Sequence, residues 1–311
     1  MIHQRKILKA IAYAILLCFT SLTGAQPLYA VPAYDQVPTG FNSVTGNSVY
    51  DNAGNISQTG MTAVNTWGDF SIGTDATVNF TGPNGFNSFN YVKDGPVSEI
   101  YGQLNAIGGN IFIANPAGVQ IGNSAQINVG SLYATTKGFD ENDFAKIAGM
   151  TDGRAIGDYL SINGTITNPA AELMSLGSIT SATSVTFDGS RIVLDTDRIY
   201  ADNAEGELQP VDDVALTGML NIITTDKDDV VLGYTKDDNA GGFDNFGIKV
   251  VDDGGSIIND KLEKGYTWIH NLDELQAMNE DTSGWYALRN SIDANATIDE
   301  SFTPIGSYTS P

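Results

Sequence analysis

The chain has 311 residues, 41% hydrophobic and 17% charged, which is enough for one or two domains with a buried core. With 37 acidic against 15 basic residues, its formal net charge is −22. That charge excludes nucleic acid as a partner and excludes electrostatic anchoring to an anionic membrane, because both need clustered Lys and Arg.

The first 30 residues have the layout of a secretory signal peptide. Three basic residues within 5–9 precede an apolar run over 10–19, and small residues follow. An uncleaved membrane anchor is the alternative, but the apolar run is shorter than the about 20 residues that a span needs. We predict cleavage after Ala25 or Ala30 and place the boundary at residue 30.

Removal of this peptide would reduce the kinds of catalytic and metal-binding site that the mature chain could form. Three basic residues leave with it, so the net charge falls from −22 to −25. The remaining chain has no Cys and a single His, His270. Disulfides, cysteine nucleophiles and multi-His metal sites are therefore excluded, and no cofactor or metal is expected.

Short strands are predicted along most of the mature chain. Apolar and polar residues alternate over short segments that Gly and Asn separate, as expected for strands with one buried face. These segments are 77–80, 110–113, 119–121, 126–129, 160–167, 178–180, 184–187, 191–194, 220–223 and 230–232. Their brevity suits a stacked coil or a sandwich, and composition alone leaves both open.

Two segments depart from the strand pattern. Residues 138–158 lack the alternation and are predicted to be an excursion from the stack. Residues 271–278 predict a helix, because Asn271 is a good N-cap and Glu274 follows three residues later. The apolar stripe of this helix, Leu272, Leu275 and Met278, is expected to pack into a core.

Several motifs then occur in a familiar order. They are residues 56–60, 65–72, 76–80, 102–106, 111–118 and 125–132. The segment 55–136 resembles the N-terminal two-partner-secretion domain of filamentous-haemagglutinin-type exoproteins, also called the haemagglutination activity domain.

The resemblance implies a fold and a route of export. It implies an all-β, right-handed parallel β-helix with short extra-helical β elements, to which the predicted C-terminal helix is added. It also implies export by the Sec translocase, recognition by a cognate Omp85-type outer-membrane transporter, and nucleation of passenger folding at the cell surface. The resemblance implies no catalysis.

One turn matches a motif of that family. Asn115, Pro116, Ala117 and Gly118 stand where the family has Asn-Pro-Asn-Gly, and they predict a type I turn. The turn either only connects two strands or belongs to the partner-recognition surface. Ala117 lacks the family's amide, and Phe-Asn-Tyr-Val at 89–92 replaces Leu-Asn-Arg-Val, so an Arg contact is missing.

The C-terminal part carries a second resemblance. Residues 268–278, 286–294 and 302–306 resemble the first unit of a repeat in large bacterial adhesins. We therefore expect a signal peptide at 1–30, a secretion domain at 31–263 and an incomplete repeat at 264–311. That repeat would begin a longer passenger, whose activity could be adhesion, haem capture or toxin delivery.

Two other functions compete with secretion. Right-handed β-helices include polysaccharide-degrading enzymes, for which the candidate carboxylates are Asp188, Asp195 and Asp197. Asp195 and Asp197 would share one strand face, as paired carboxylates of a glycosidase could. The alternative is a solvated face paired with Arg191 and Arg198. Direct binding of host-cell glycans or proteins is the other function.

Acidic loops at 226–229 and 237–244 are candidate calcium sites, but neither has EF-hand spacing.

Overall fold

The computed structural model describes residues 32–202, 208–210, 220–225, 230–234, 248–252, 256, 266–269, 271–280 and 286–288. The predicted signal peptide, both candidate calcium loops and His270 lie outside the described residues. The chain forms two compact units. The larger unit takes its described residues from Val31–Leu232 and Asp238–Gly265. The smaller unit takes its described residues from Gly233–Asp237 and Tyr266–Pro311.

The described residues form 22 strands, three α-helices and two 3-10 helices. The strands begin with β1 Asn42–Thr45, β2 Ser48–Tyr50, β3 Asn55–Gln58, β4 Thr62–Trp67, β5 Thr77–Thr81, β6 Asn87–Val92, β7 Ser98–Ile100, β8 Gln103–Ala114, β9 Val119–Ile121, β10 Gln126–Thr135 and β11 Lys137–Gly138. They continue with β12 Thr165–Ile166, β13 Glu172–Ser175, β14 Ser178–Gly189, β15 Arg191–Asp195, β16 Ile199–Asp202, β17 Leu208–Pro210, β18 Leu220–Thr224, β19 Val230–Tyr234, β20 Ile248–Asp252, β21 Tyr266–Ile269 and β22 Tyr286–Leu288. The helices are α1 Glu141–Ala148, α2 Gly153–Ile162 and α3 Leu272–Ala277, with 3-10 turns at Thr196–Arg198 and Met278–Glu280.

Parallel strand pairings form three faces of a coil in the larger unit, and the first two faces belong to one continuous sheet. The first face contains β5, the first halves of β8, β10 and β14, and β16. The second contains β4, β6, the second halves of β8, β10 and β14, then β18 and β20. The third contains β7, β9, β13 and β15. Because each strand pairs in parallel with a strand one turn earlier, the predicted parallel β-helix is confirmed.

Short antiparallel pairings lie outside the coil, as predicted. β1 pairs with β4 and β2 pairs with β3 at the N-terminal end. β11 pairs with β12, and β16 pairs with β17. In the smaller unit, β21 pairs in parallel with β22 and with Gly233–Tyr234.

Apolar side chains fill the interior of the coil in register. Val78 pairs with Leu104, Leu104 with Ile127, and Ile127 with Ile179. Each of these four side chains is at most 1% exposed. The alternation that predicted the strands therefore places one apolar residue per turn in the same column of the core.

An asparagine ladder runs along the same face. Asn79 donates its side-chain amide to Asn55 Oδ1, Asn105 donates to Asn79, and Asn128 donates to Asn105, each at 3.1 Å. Asn55 in turn donates to Asp51 Oδ2 at 2.7 Å. A shift of one residue in strand register would break every one of these bonds, so the ladder fixes the register.

Removing the middle of the ladder should destabilise the coil. In an Asn105→Ala variant, the bond to Asn79 and the bond from Asn128 are both lost, and we expect the free energy of unfolding to fall by about 1 kcal/mol. Urea unfolding followed by far-UV circular dichroism measures this. Asn123→Ala, at an exposed turn, is the control and should change the free energy by no more than about 0.5 kcal/mol. An equal loss in both variants would contradict the role of the ladder.

The excursion from the stack predicted at 138–158 is confirmed, and it is made of two helices. Asp140 caps α1 and forms a capping box with Asp143, while Asp152 caps α2. The strand predicted at 160–167 is wrong for Leu160–Ile162, which end α2, and only Thr165–Ile166 are extended. The cap at Asp152 and the spacing of Ile156 and Leu160, which share one helix face, override the short alternation.

These helices cover the second face of the coil. Phe144 and Ile147 of α1, and Ile156 and Leu160 of α2, are buried in one cluster with side chains of β4, β6, β8 and β10. The strand residues of that cluster are Val64, Phe89, Tyr91, Phe112, Ala114 and Tyr133. The insertion is therefore packed onto the coil by its apolar stripes.

The predicted C-terminal helix is confirmed as α3. Asn271 Oδ1 accepts from the backbone N–H of Glu274 at 2.9 Å, as an N-cap does. The expected core packing is wrong, because Leu272, Leu275 and Met278 are only half-buried. Among the described residues, no helix is long and apolar enough to cross a membrane.

Candidate partner-recognition surface

The turn at 115–118 is built around a buried amide. Asn115 Nδ2 donates to the Pro96 carbonyl at 2.7 Å and to Ser98 Oγ at 2.9 Å. Its Oδ1 accepts from the Ala117 backbone N–H at 2.9 Å. Gly118 N–H closes the turn on the Asn115 carbonyl at 3.0 Å, and Gly118 has a φ of +129°. The predicted turn is confirmed, and it joins β8 to β9.

Only two of the four turn residues reach the surface. Asn115 and Gly118 are buried, whereas Pro116 and Ala117 are half-buried. A Cβ added to Gly138 would lie 3.7 Å from both Pro116 Cγ and Tyr91 Oη. The surface of the turn is therefore continuous with β11 and with the edge of the helical insertion.

The residue that replaces the family's Arg lies inside the protein. Tyr91 is 7% exposed, and its ring packs against Phe144 at 5.3 Å and stacks with Phe89 at 6.5 Å. Burial raises the pKa of the Tyr91 hydroxyl, so it stays neutral. This position contributes to the core beneath α1 and presents no charge to a partner.

A buried ion pair fastens the helical insertion to the coil. Lys137 Nζ lies 2.8 Å from Asp188 Oδ2 and also donates to the carbonyls of Leu160 and Ser161, at 3.2 and 2.7 Å. Tyr133 Oη donates to the same carboxylate at 2.7 Å. Burial raises the pKa of Asp188 against the lowering effect of Lys137, and burial beside Asp188 raises the pKa of Tyr133 well above its usual value. Lys137 therefore links the last turn of α2 to β14.

The candidate carboxylates of an enzyme are not arranged as the sequence predicted. β15 ends at Asp195, and Asp197 lies in the 3-10 turn that follows, so the two do not share a strand face. Asp188 is paired with Lys137. The alternative of a solvated face is also wrong for Asp188 and Asp195, which are 2% and 1% exposed.

Sequence reasoning missed the part played by Lys137. It stands just before the predicted excursion, and nothing in the local pattern marks it as the partner of a buried carboxylate. A signal did exist at Asp188, because it directly follows the alternating run Val185–Phe187 that predicts a buried strand. An acidic residue beside such a run needs a buried cation or a hydrogen-bond donor nearby.

Comparison with known proteins decides the family. A model of the TPS secretion domain matches residues 33–262. The chain belongs to this family. The resemblance of segment 55–136 to the two-partner-secretion domain is therefore confirmed.

Similar proteins come from Haemophilus influenzae. Two heme/hemopexin-binding proteins are 37% identical over 126 residues and 39% identical over 100 residues, which is 39% and 32% of this chain. The matches span only 13% and 11% of those proteins. The crystal structure of the HMW1 secretion domain has 19% sequence identity and a TM-score of 0.42, covering 75% of this chain and 65% of that one.

Membership of the TPS family defines the general role. The chain is a secretion domain of the kind found in exported, adhesin-like exoproteins. Proteins of this family are secreted across the outer membrane to the cell surface or the medium, and two-partner secretion pairs such a domain with a cognate outer-membrane transporter. The family is a secretion and adhesion module.

Proposed function

We propose that residues 31–263 are the recognition and folding module of a secreted passenger that begins within 264–311. Residues 1–30 would direct the chain through the Sec translocase, and a cognate Omp85-type transporter would bind the module in the periplasm. The observation that carries the proposal is the coil itself. Its N-terminal end is closed by antiparallel strands, and further turns add in parallel along the chain.

The same coil supports a role in folding. Each turn offers its strand edges to the next, and the ladder amides bond to the turn before them. If the chain leaves the transporter N-terminus first, each new turn could therefore pair with the strand edges of the turn that has already folded. The module would have no catalytic activity of its own, and contacts with host-cell glycans or proteins would be made by the passenger.

We further propose that Asn115, Pro116, Ala117 and Gly118 belong to the transporter-recognition surface. Asn115 and Gly118 would hold the shape of the turn from inside, through the bonds to Pro96 and Ser98. Pro116 and Ala117 would supply the contact, because they are the two residues that solvent reaches. Recognition at this turn would then depend on its shape and its backbone groups, since Ala117 has no side-chain amide.

A charge placed on the turn should impair export without unfolding the domain. We expect Ala117→Asp to reduce secretion of the full chain by about tenfold, because a contact surface with one added charge loses about 1.4 kcal/mol of affinity. The measurement is the amount of full chain in the medium of cells that carry the cognate transporter.

A matched control is available on another exposed turn. Asn123→Asp adds the same charge there and should leave export unchanged. The urea midpoints of both variants should equal that of the unmodified chain, which separates recognition from stability. Normal export of the Ala117→Asp variant would overturn the recognition role of the turn while leaving the secretion function intact.

A further inference from the structure

The chain contains two Asn-Gly pairs, Asn84-Gly85 and Asn163-Gly164. In such a pair the glycine backbone nitrogen can reach the asparagine side-chain carbonyl, because glycine has no Cβ to obstruct the approach. Because both are Asn-Gly pairs, we expect similar rates from them in an unfolded chain. The fold places them in very different surroundings.

Asn84 lies in an open turn between β5 and β6. It is exposed, and Phe86 N–H donates to the Pro83 carbonyl at 3.0 Å to close the turn around it. Gly85 has a φ of +74°, and no atom lies within 4 Å of the position that a Cβ would take. Within the described part of the chain, the Asn84 side chain makes no hydrogen bond. No hydrogen bond therefore holds its amide away from the Gly85 nitrogen, and no neighbouring atom crowds Gly85.

Asn163 is held in place at the end of α2. Its Nδ2 donates to the Tyr159 carbonyl at 2.8 Å, and its backbone N–H donates to the same oxygen at 3.0 Å. Gly164 is exposed, but on the side where a Cβ would stand the Phe139 ring lies only 2.6 Å away. The amide cannot turn toward the Gly164 nitrogen without losing its hydrogen bond to the Tyr159 carbonyl.

We propose that Asn84 is a site of spontaneous deamidation and that Asn163 is protected from it. The Gly85 backbone nitrogen gives its proton to water or hydroxide and attacks Asn84 Cγ. A C–N bond forms and the bond from Cγ to the side-chain nitrogen breaks, while that nitrogen takes up a proton from water and leaves as ammonia. Water then opens the five-membered succinimide at either carbonyl, giving aspartate or isoaspartate at position 84.

The reaction would change the character of a surface groove. Asn84 lines an open groove of about 530 Å³, and all the other lining residues, which include Asn79 and Asn105 of the ladder, are uncharged. Deamidation places a carboxylate in this groove, next to the asparagine ladder. Isoaspartate also lengthens the backbone of the turn by one carbon.

The full chain itself supplies the test. After incubation of the folded protein at neutral and at mildly alkaline pH, digestion before aspartate releases residues 75–93 with Asn84 and residues 158–187 with Asn163. Mass spectrometry then measures the exchange of NH₂ for OH in each fragment. Aspartate at position 84 creates a new cleavage point, whereas isoaspartate resists cleavage and is a substrate for an isoaspartyl methyltransferase.

We expect the initial rate at Asn84 to exceed that at Asn163 by about tenfold or more, because the Asn163 amide must first break its hydrogen bond to Tyr159. The rate at Asn84 should rise with pH, because the attacking nitrogen must lose a proton. Asn84→Gln should abolish the product, with the fold checked by circular dichroism. In urea the two rates should converge, because only the fold distinguishes the sites. Equal rates in the folded chain, or an unmodified Asn84 after prolonged incubation, would overturn the proposal.

Discussion

Replacing Lys137 by Met should lower the free energy of unfolding by about 3 kcal/mol or more, because it leaves Asp188 as an uncompensated buried carboxylate. Asp188 is 2% exposed, and its remaining described partner would be the hydroxyl of Tyr133. The carbonyls of Leu160 and Ser161 at the end of α2 would lose their donor as well. Urea unfolding of the full chain, followed by circular dichroism, measures the loss.

The double variant distinguishes a buried charge from lost packing. Lys137→Met with Asp188→Leu removes both charges and should recover a large part of the stability, since apolar side chains can replace a buried ion pair at little cost. The single Asp188→Asn variant keeps an acceptor for Tyr133 and should cost less than Lys137→Met. If the double variant were as unstable as the Lys137→Met variant, the buried charge would not be the cause.

The loss of stability in the Lys137→Met variant should also depend on pH, and it should be smaller at low pH. Burial raises the pKa of Asp188 in the folded protein, so the folded state binds a proton more strongly than the unfolded state there. Stability from this group is therefore present at low pH and is lost as the pH rises through the folded pKa. Without Lys137 that pKa rises further, so the deficit of the Lys137→Met variant should shrink as the pH is lowered from neutrality. A deficit independent of pH would contradict this assignment.

The contact between Lys137 and Asp188 could not be predicted from the sequence, because it depends on how successive turns of the coil pair. Thr135 pairs with Asp188 across β10 and β14, which brings Lys137 close to a residue far along the chain. No local pattern gives that register. Likewise, the turn at 115–118 follows from its own residues, but Asn115 binds Pro96 and Ser98 of the preceding turn, which no spacing rule predicts.

Local patterns predicted several strands of the coil, and they failed where two patterns overlapped. Alternation gave β5, β9, β14, β15 and β18 because one face of each strand is buried in the coil. Around Leu160 the same alternation coincides with a helical spacing from Ile156. The cap at Asp152 and the apolar face of the strands beneath favour the helix. When a short segment has no recognisable cap and its tertiary partner is unknown, its sequence is compatible with both a strand and a helix.

The aromatic cluster at the N-terminal end of the coil is the second place where a single substitution should strongly lower the free energy of unfolding. Trp67 is 2% exposed, and its ring centroid lies 4.9 Å from Phe41, 5.1 Å from Tyr50 and 5.3 Å from Phe70. Its Nε1 donates to the buried Oδ1 of Asn90 at 3.0 Å. One side chain thus joins the antiparallel closing strands to the first parallel turns.

Replacing Trp67 by Ala should lower the free energy of unfolding by about 4 kcal/mol, the loss typical of a large aromatic side chain removed from a core. Trp67→Phe keeps a ring in contact with Phe41 and Tyr50 but removes the bond to Asn90, so it should cost about half as much. Urea unfolding by circular dichroism compares the two without relying on the fluorescence of Trp67. Equal losses would mean that the hydrogen bond, and not the ring, holds this end closed. A clearly larger loss for Ala would show that the aromatic cluster closes the coil, and we would then expect the Trp67→Ala chain to be secreted poorly even though its recognition turn is unchanged.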